Sequence, residues 1–347
     1  MSSQPTSFSP GLTESPSGRK AVALLSGGLD SALAIYLVKL QGIDVVAVHF
    51  TSFFSPLDAG VKDSPVREVA RQLDVPVRLF PKGKDFLDLI RNPRYGHGKN
   101  LNPCIDCRIY TFVKAKEFAQ EIGASFIVTG EVVGQRPMSQ RRHAIRLIDK
   151  QSGCDGFVLR PLSGKHLPPT RAEETGVIDR EQLLDVAGRG RKTQLRMAAE
   201  LGLSGYSPPA GGCLLTDKGF SNRVRDLLAH TDEVSPADLE LLHVGRHLRV
   251  RPGLKIVIGR NEPENQRIER LAAGGSLFSP EDFPGPLVLA VGRPDPHEET
   301  LIGSVIRRYA KESSRGEWIC LQYSDHSQRR IRVADVANRD WISDHML

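Results

Sequence analysis

The sequence predicts an α/β chain: a parallel-sheet domain, then a mainly helical segment, then a small C-terminal α/β module. Three observations predict it. Short apolar, β-branched runs alternate with helical runs through the first part of the chain, the pattern of a parallel sheet covered on both faces. A Pro-rich bend, His166 to Thr170, opens a stretch that reads as helix after helix. From Val244 strands and helices mix again over about 100 residues, a typical domain size. The length of 347 residues agrees with about two domains at roughly 150 residues each.

The elements follow in order. Met1 to Gly18 is rich in Ser and Pro and has no apolar signal region, so 1–18 is expected to be a disordered leader. Ala21 to Leu25 reads as a buried strand and Ala32 to Leu40 as a helix. Ile43 to Phe50 is a second strand, Pro65 to Leu73 a helix, Val75 to Phe80 a third strand and Lys84 to Ile90 a short helix. Tyr110 to Ile122 is a longer amphipathic helix that leads into a fourth strand, Ala124 to Thr129. These elements define a domain over 19–164. In 165–243, Glu181 to Val186, Lys192 to Leu201, Asn222 to His230 and Ala237 to Leu242 read as helices, the last started by Ser235-Pro236 as N-cap and first-turn proline. In 244–347, Leu248 to Val250 and Lys255 to Ile258 are strands around a Pro252-Gly253 turn, and Asn261 to Leu271 is a helix. Leu287 to Val291 is a strand, Glu298 to Tyr309 a helix, and Trp318 to Tyr323 pairs with Arg330 to Val333 as a hairpin.

Hydrophobic residues at 39% and charged residues at 25% supply an ordinary globular core, which excludes a disordered or fibrous chain. No run approaches the ~20 apolar residues of a membrane helix. A net charge of +6 is compatible with nucleic acid without pointing to it. Five cysteines, an odd and low number, do not make a secreted disulfide scaffold, so the cytosol is the expected compartment.

The first strand runs into Ser26-Gly27-Gly28-Leu29-Asp30-Ser31 and then a helix. A glycine pair there lets the backbone approach a ligand, and the turn and helix amides form an anion site suited to phosphate. Ser26 and Ser31 add hydroxyl donors. Asp30 repels phosphate unless it holds Mg²⁺, which would bridge it to the phosphates. The bland reading is a glycine turn with a polar N-cap. The hexapeptide as a whole resembles the SGGxDS signature of the PP-loop ATP pyrophosphatases, which are adenine nucleotide alpha hydrolase-like in fold. Those enzymes cleave ATP to AMP and pyrophosphate while adenylating a carbonyl or amide oxygen. The resemblance places adenine near Phe50 to Ser52, after the second strand. It also places Thr129-Gly130-Glu131, after the fourth strand, against the nucleotide.

Asn102-Pro103-Cys104-Ile105-Asp106-Cys107-Arg108 precedes the long helix, and Gly211-Gly212-Cys213 offers a third, sterically open cysteine. A C-x-x-C pair binds a metal or cluster or cycles as a disulfide. Together with SGGLDS these segments resemble the tRNA thiouridine synthetases, the 2-thiouridylase and 4-thiouridine groups above all. In the thiouridylases the catalytic thiol stands at the position of Cys107, whereas the position of Cys104 is not a catalytic thiol. A cysteine at both favours an iron–sulfur version, with Cys104, Cys107 and Cys213 holding a [4Fe-4S] cluster and one iron left open. In the alternative, Cys107 or Cys213 carries a persulfide and the other releases it. Zinc is the third possibility. Cys320 reads as core and Cys154 as incidental.

Two basic groups are candidate RNA contacts: Gly134 to His143, and Arg189, Arg191, Lys192 and Arg196. The last domain resembles the RNA-binding module of the NFACT family, on Val257-Ile258-Gly259-Arg260-Asn261-Glu262-Pro263-Glu264-Asn265. The resemblances together imply an ATP-dependent thiolase of tRNA or another structured RNA, with an external sulfur donor such as sulfide or a cysteine desulfurase. Two other readings stay open: a PP-loop amidating or nitrile-forming enzyme with structural zinc, and a non-catalytic RNA-binding adaptor.

Overall fold

Apolar β-strands at the start of the chain pair into one parallel sheet. In the computed structural model, which describes residues 19–54, 65–208, 213–272, 274–311 and 316–347, the chain divides into two units. One takes the residues up to Gly98 and Asn102–Cys213, the other Leu214–Leu347 with Lys99–Leu101.

In the first unit the order is β1 (Lys20–Leu24), α1 (Leu29–Lys39), β2 (Asp44–Thr51), α2 (Pro65–Gln72), β3 (Val77–Pro81), α3 (Lys84–Arg91), α4 (Cys104–Glu121), β4 (Phe126–Thr129), α5 (Arg142–Gln151) and β5 (Val158–Leu159). A 3-10 turn at Pro161–His166, α6 (Arg171–Glu174) and α7 (Lys192–Glu200) follow. The strands lie in the order β3-β2-β1-β4-β5, all parallel. β1 to β3 grow the sheet one way and β4 to β5 the other, so the order reverses between β1 and β4.

The strands are apolar on both sides because both faces are covered. One face of β1 and β2 (Ala21, Ala23, Val45, Ala47) packs on Ala32, Ile35 and Val38 of α1 and on Val66 and Val69 of α2. The other face (Val22, Leu24, Val46, Val48) packs on Phe112, Ala115, Phe118 and Ala119 of α4. Each fully buried Val, Leu, Ile or Phe among them stabilises by about 1.5–3 kcal/mol, and each Ala by less. α1 is apolar around most of its surface for the same reason. Leu29, Leu33 and Leu37, spaced by one turn, form a second stripe that packs on Ala198 of α7 and on Val132 and Leu162. Gly42, at φ +74°, turns the chain from α1 back to β2.

The second unit contains α8 (Lys218–His230), α9 (Pro236–Leu241), β6 (Arg246–Arg251), β7 (Leu254–Ile258), α10 (Glu262–Arg270), β8 (Ser276–Pro280), β9 (Val288–Val291), α11 (Pro296–Tyr309), β10 (Trp318–Gln322), β11 (Gln328–Arg332) and α12 (Arg339–His345). Its sheet is antiparallel, in the order β11-β10-β8-β9-β7-β6. Ile302, Val305 and Ile306 of α11 pack on its inner face. Ser235 and Pro236 start α9 as expected, with Ser235 and Asp238 forming a capping box.

Several expectations are corrected. α4 begins at Cys104, six residues before the expected start, so the C-x-x-C lies in the first helical turn rather than ahead of it. Pro103 sits at its N-cap, where its missing N–H costs nothing. The expected helix at Glu181 to Val186 is a 3-10 turn, Arg180–Gln182, capped by Asp179. Leu183 beyond it is extended and buried. α5, β5, α6, β8 and α12 are additional elements. In β10 the alternation turns Ile319 and Leu321 to the core and leaves Cys320 on the opposite face, half-buried, so Cys320 is not core.

Candidate active site

A parallel sheet places ligands at the carboxyl ends of its strands, where the strand order reverses. Here that is the crevice between β1 and β4, and the predicted glycine elements flank it: Ser26 to Ser31 follows β1 and Gly130 follows β4. α4 enters β4 from the opposite edge, so the start of α4, with both its cysteines, lies at this same carboxyl edge.

The loop is built from its own residues. Gly27 has φ +76°, a left-handed conformation that glycine adopts without strain. Gly28 has φ −91° and ψ 160°, which any residue tolerates, and a Cβ there would touch only Ser26 Oγ, at 3.4 Å. Neither backbone nor neighbours demand glycine at 28, so its lack of a side chain leaves open the approach to the first helical amides. Ser31 Oγ accepts from Ser26 N (3.2 Å), lies 3.1 Å from Ser26 Oγ and donates to Gly28 O (2.8 Å), which closes the loop. Gly130 is different. A Cβ on it would lie 2.4 Å from Asp30 C and Ser31 N, so the first turn of α1 rests directly on this glycine.

Asp30 faces the crevice from α1. Its Oδ2 accepts from Gln135 Nε2 at 3.1 Å and lies 3.4 Å from an Arg191 terminal nitrogen. Its Oδ1 is buried and has no protein partner. An anionic oxygen left free in this way fits the Mg²⁺ expected there. Asp30 would hold the metal through Oδ1, and the metal would offset phosphate charge.

The cysteines fall into unequal environments. Cys107 Sγ accepts from Lys82 Nζ at 3.2 Å, and Lys82 stands just after β3. That ammonium also lies 4.4 Å from the Phe86 ring centre. Cys104 is dominated by burial instead. Burial pushes its thiol up and the neighbouring Cys107 adds to this, against Asn102, Arg108 and Arg136. Its position at the helix start therefore does not make it a thiolate on its own. Cys213 Sγ lies 3.5 Å from Phe54 O, and the Phe54 ring packs on Phe86 at 6.3 Å. Phe86 thus links the surroundings of Cys107 and Cys213. Among the described residues, no three His, Cys, Asp or Glu side chains are gathered into a metal-holding group. Gly211 and Gly212 lie outside the described residues.

A buried ion network ties the nucleotide loop to the cysteine helix. Glu131 follows Gly130 and is 1% exposed. Its Oε2 accepts from Arg160 Nε (3.0 Å), and Arg108 Nε lies 3.0 Å from its Oε1 in ion-pair contact. Arg160 donates a second, bidentate pair of bonds to Asp149 (2.8 and 2.7 Å). Burial opposes the charge on Arg160, yet Glu131 and Asp149 outweigh it and hold the guanidinium protonated. Asp106, between the two cysteines, accepts from the amides of Arg94 and Tyr95 and so anchors the loop before α4.

The other predicted residues spread out. The Phe50 ring sits on the α4 side of the sheet, stacked on Phe80 at 5.5 Å. Gln135 reaches Asp30 and Arg136 acts on Cys104, so the first basic segment borders the site. Of the second group, Arg191 is on Asp30, whereas Arg189, Lys192 and Arg196 are exposed. In the second unit the Gly259 turn is present, but Arg260 is held by Glu264 (Nε to Oε1, 2.9 Å). Cys154 is fully buried and bonded to backbone oxygens, and burial pushes its thiol up. Lys82, Arg160, Glu131 in its ion pairs with Arg108 and Arg160, and Arg191 in its Asp30 contact are what sequence reasoning missed. Each is one charged residue with no local spacing to mark it.

Residues 17–167 match the family model described as thiamine biosynthesis protein (ThiI), and residues 245–345 match the NFACT protein RNA binding domain. Similar curated proteins include the tRNA-specific 2-thiouridylase MnmA 2 of Thermoanaerobacter sp. (strain X514), 28% identical over 66% of this chain and 64% of that protein. The tRNA-specific 2-thiouridylase MnmA of Petrotoga mobilis is 27% identical over 67% and 65%. The chain thus spans slightly less than two thirds of these relatives' own length. Among solved structures, a 4-thiouridine synthetase–RNA complex with bound ATP aligns at 25% identity, 53% and 51% coverage and TM-score 0.34. The U34-tRNA thiolase NcsA of Methanococcus maripaludis with its [4Fe-4S] cluster aligns at 16%, 64% and 68%, with TM-score 0.30. The match at 17–167 spans the Ser26 to Ser31 loop, both α4 cysteines and Gly130, and the match at 245–345 spans the antiparallel sheet of the second unit, so the chain is similar to the ThiI family over the first and to the NFACT RNA binding domain over the second.

Proposed function

We propose that the chain is an ATP-dependent RNA sulfurtransferase that thiolates a uridine of tRNA. One observation carries the reading: the nucleotide loop and the cysteine helix are in unbroken contact at one sheet edge. Asp30 and Ser31 rest on Gly130, the next residue Glu131 holds Arg108, and Arg108 is bonded in sequence to Cys107. An activating site and a sulfur site that act on one base need this adjacency.

ATP binds at Ser26 to Ser31, where Asp30 would hold Mg²⁺ to offset phosphate charge. The carbonyl oxygen of the base attacks the α-phosphorus and pyrophosphate leaves. The oxygen, now carried on AMP, becomes the leaving group for a sulfur nucleophile. The chain orients the partners and neutralises charge through loop amides, metal and nearby basic groups. RNA is gripped by the 245–345 domain and by the basic segment from Gly134 to His143, next to the site.

Two sulfur carriers use these residues. A [4Fe-4S] cluster would take Cys104, Cys107 and Cys213 and supply an open iron for hydrosulfide. Three thiols are a suitable donor set, but among the described residues they are not gathered into one metal-holding group. The persulfide form needs Cys107 and Cys213 alone. The terminal sulfur of a persulfide on one cysteine displaces AMP from the base, and the other thiolate attacks the cysteine sulfur. The thiolated base leaves as a Cys107–Cys213 disulfide forms, and an external thiol reduces it. Lys82 against Cys107 supports this form. The persulfide form takes its outer sulfur from the persulfide of an outside cysteine desulfurase, by exchange onto the thiol, whereas sulfide could serve only an open iron.

The test is anaerobic purification, iron and zinc analysis, and an assay for AMP and pyrophosphate with and without tRNA. We expect nucleotide cleavage only with tRNA, together with a thiolated nucleoside. Cleavage without thiolation would turn the reading toward the amidating enzyme, and no cleavage at all toward the adaptor. Iron lost from each single variant Cys104→Ser, Cys107→Ser and Cys213→Ser identifies the cluster; full thiolation by Cys104→Ser identifies the persulfide.

A further inference from the structure

Buried polar side-chain atoms without a protein partner collect around the Ser26 to Ser31 loop. They are Asp30 Oδ1, Arg191 Nε, both amide atoms of Gln194, and Ser207 Oγ. A fold rarely leaves such atoms unsatisfied, and where several meet at one place a ligand is the economical explanation. Gln194 is 0% exposed and Ser207 3%. A leucine would pack at 194 without an unpaired amide, so the glutamine is not explained by the core.

Arg191 and Ser207 are placed on the loop by specific contacts, and Gln194 by its position on α7. Arg191 is the N-cap residue of α7 and touches Asp30. Gln194 is one turn from Arg191 and one turn from Ala198, which packs against Leu29 and Leu33 of α1. It therefore lies on the side of α7 that faces the start of α1. Ser207 bridges Gly28 in parallel, and its amide donates to Gly27 O at 2.8 Å.

Charge points the same way. A carboxylate inside an anion site opposes phosphate, and Arg191 cancels that charge. It spends one terminal nitrogen on Asp30 Oδ2 and keeps Nε unpaired in the buried interior. A guanidinium can serve two anions at once through different nitrogens.

We infer that Arg191, Gln194 and Ser207 complete the polyphosphate site of the nucleotide. Arg191 orients Asp30 and takes a phosphate oxygen through Nε, while the Gln194 amide and the Ser207 hydroxyl donate beside it. This assigns Arg191 to the nucleotide rather than to RNA, and it rests on the nucleotide reading given above.

The test is calorimetric binding to the full chain with Mg²⁺, using inorganic pyrophosphate, α,β-methylene-ATP and AMP. The variants are Arg191→Ala, Arg191→Lys and Gln194→Leu, each with its melting temperature. Loss of a charge-assisted contact predicts about tenfold or more weaker pyrophosphate binding in Arg191→Ala, with AMP changed by less than about twofold. Arg191→Lys recovers part of it. Gln194→Leu weakens pyrophosphate and melts at or above the wild type. Wild-type pyrophosphate affinity in both Arg191→Ala and Gln194→Leu overturns the inference and leaves the nucleotide reading intact. Equal loss of AMP and pyrophosphate, or a melting temperature lowered alike in Arg191→Ala and Arg191→Lys, overturns it in favour of a structural role. A wild-type chain that binds none of the three overturns both.

Discussion

Replacing Gly130 with alanine probes the join between the two halves of the site. The added Cβ would stand 2.4 Å from Asp30 C, 2.4 Å from Ser31 N and 2.5 Å from Asp30 O. Ordinary contact begins near 3.4 Å. Relief therefore takes a displacement of about 1 Å, and overpacking of this kind costs about 1–3 kcal/mol. The atoms in the way are helix backbone, which cannot rotate aside as a side chain can. The shift falls on the residues that hold nucleotide and metal, and a misplacement of about 1 Å at a reacting centre costs on the order of 100-fold in rate. Gly28→Ala is the control with the opposite profile. It meets only Ser26 Oγ, so the melting temperature stays near wild type, while nucleotide affinity falls because the Cβ enters the approach to the amides. The assay is kcat/KM for ATP in tRNA-dependent pyrophosphate release, with a melting curve for each variant. Wild-type kcat/KM for Gly130→Ala would show that α1 does not rest on Gly130 in the working protein, and the reasoning would fail.

Further outcomes follow from the same contacts. His247 in the second unit is held at a pKa of about 3 by burial first and by Lys255 and Arg223 next, against bonds to the carbonyls of Val244 and Leu241. Its folded pKa lies below its unfolded value near 6.5, so the stability it contributes is complete above that pH and is lost as pH falls toward 3. The loss by pH 5 is about 2 kcal/mol by proton linkage, and urea unfolding from pH 7 to 5 should show it; an identical slope in His247→Phe would contradict the assignment. Cys154→Ala should thiolate like wild type and lose about 1 kcal/mol of stability for the small cavity, whereas Cys107→Ser and Cys213→Ser should both abolish thiolation. A thiolation defect in Cys154→Ala with an unchanged melting temperature would return Cys154 to the sulfur chemistry. Removing one member of the buried network, Glu131→Gln, should cost about 3–5 kcal/mol and lower both nucleotide cleavage and thiolation; thermal melting checks the first and the coupled assay the second.

The parts of the site legible in the sequence are those encoded within a few residues. Ser26 to Ser31 could be read because strand, glycine pair and helix are contiguous and each has its own physical signature. Cys104 and Cys107 could be read from their spacing, but the start of α4 could not: Asn102-Pro103 looks like a break, and the apolar rhythm begins only near Tyr110. α5 was hidden by Arg141, Arg142 and His143, whose charge masks the buried spacing of Ala144, Ile145 and Ile148. β5 is two residues long and has too little pattern to see. Arg191 on Asp30 spans 161 positions and Lys82 on Cys107 spans 25, so only the folded sheet brings those charges together. Arg191 read as one more member of a basic run because composition carries no information about which face a residue takes.

The central claim is that one nucleotide cleavage activates one base oxygen for one sulfur. The most direct test supplies tRNA, ATP, a cysteine desulfurase with cysteine, and a thiol reductant to the anaerobic protein, so that both persulfide sulfur and released sulfide are on offer, then measures AMP and, by mass spectrometry of digested RNA, the thiolated nucleoside. The account predicts that the two rise together, one AMP for each sulfur gained, and that both vanish in the Asp30→Ala variant. AMP formed at the wild-type rate with no sulfur in the RNA, or sulfur gained without ATP, would contradict it.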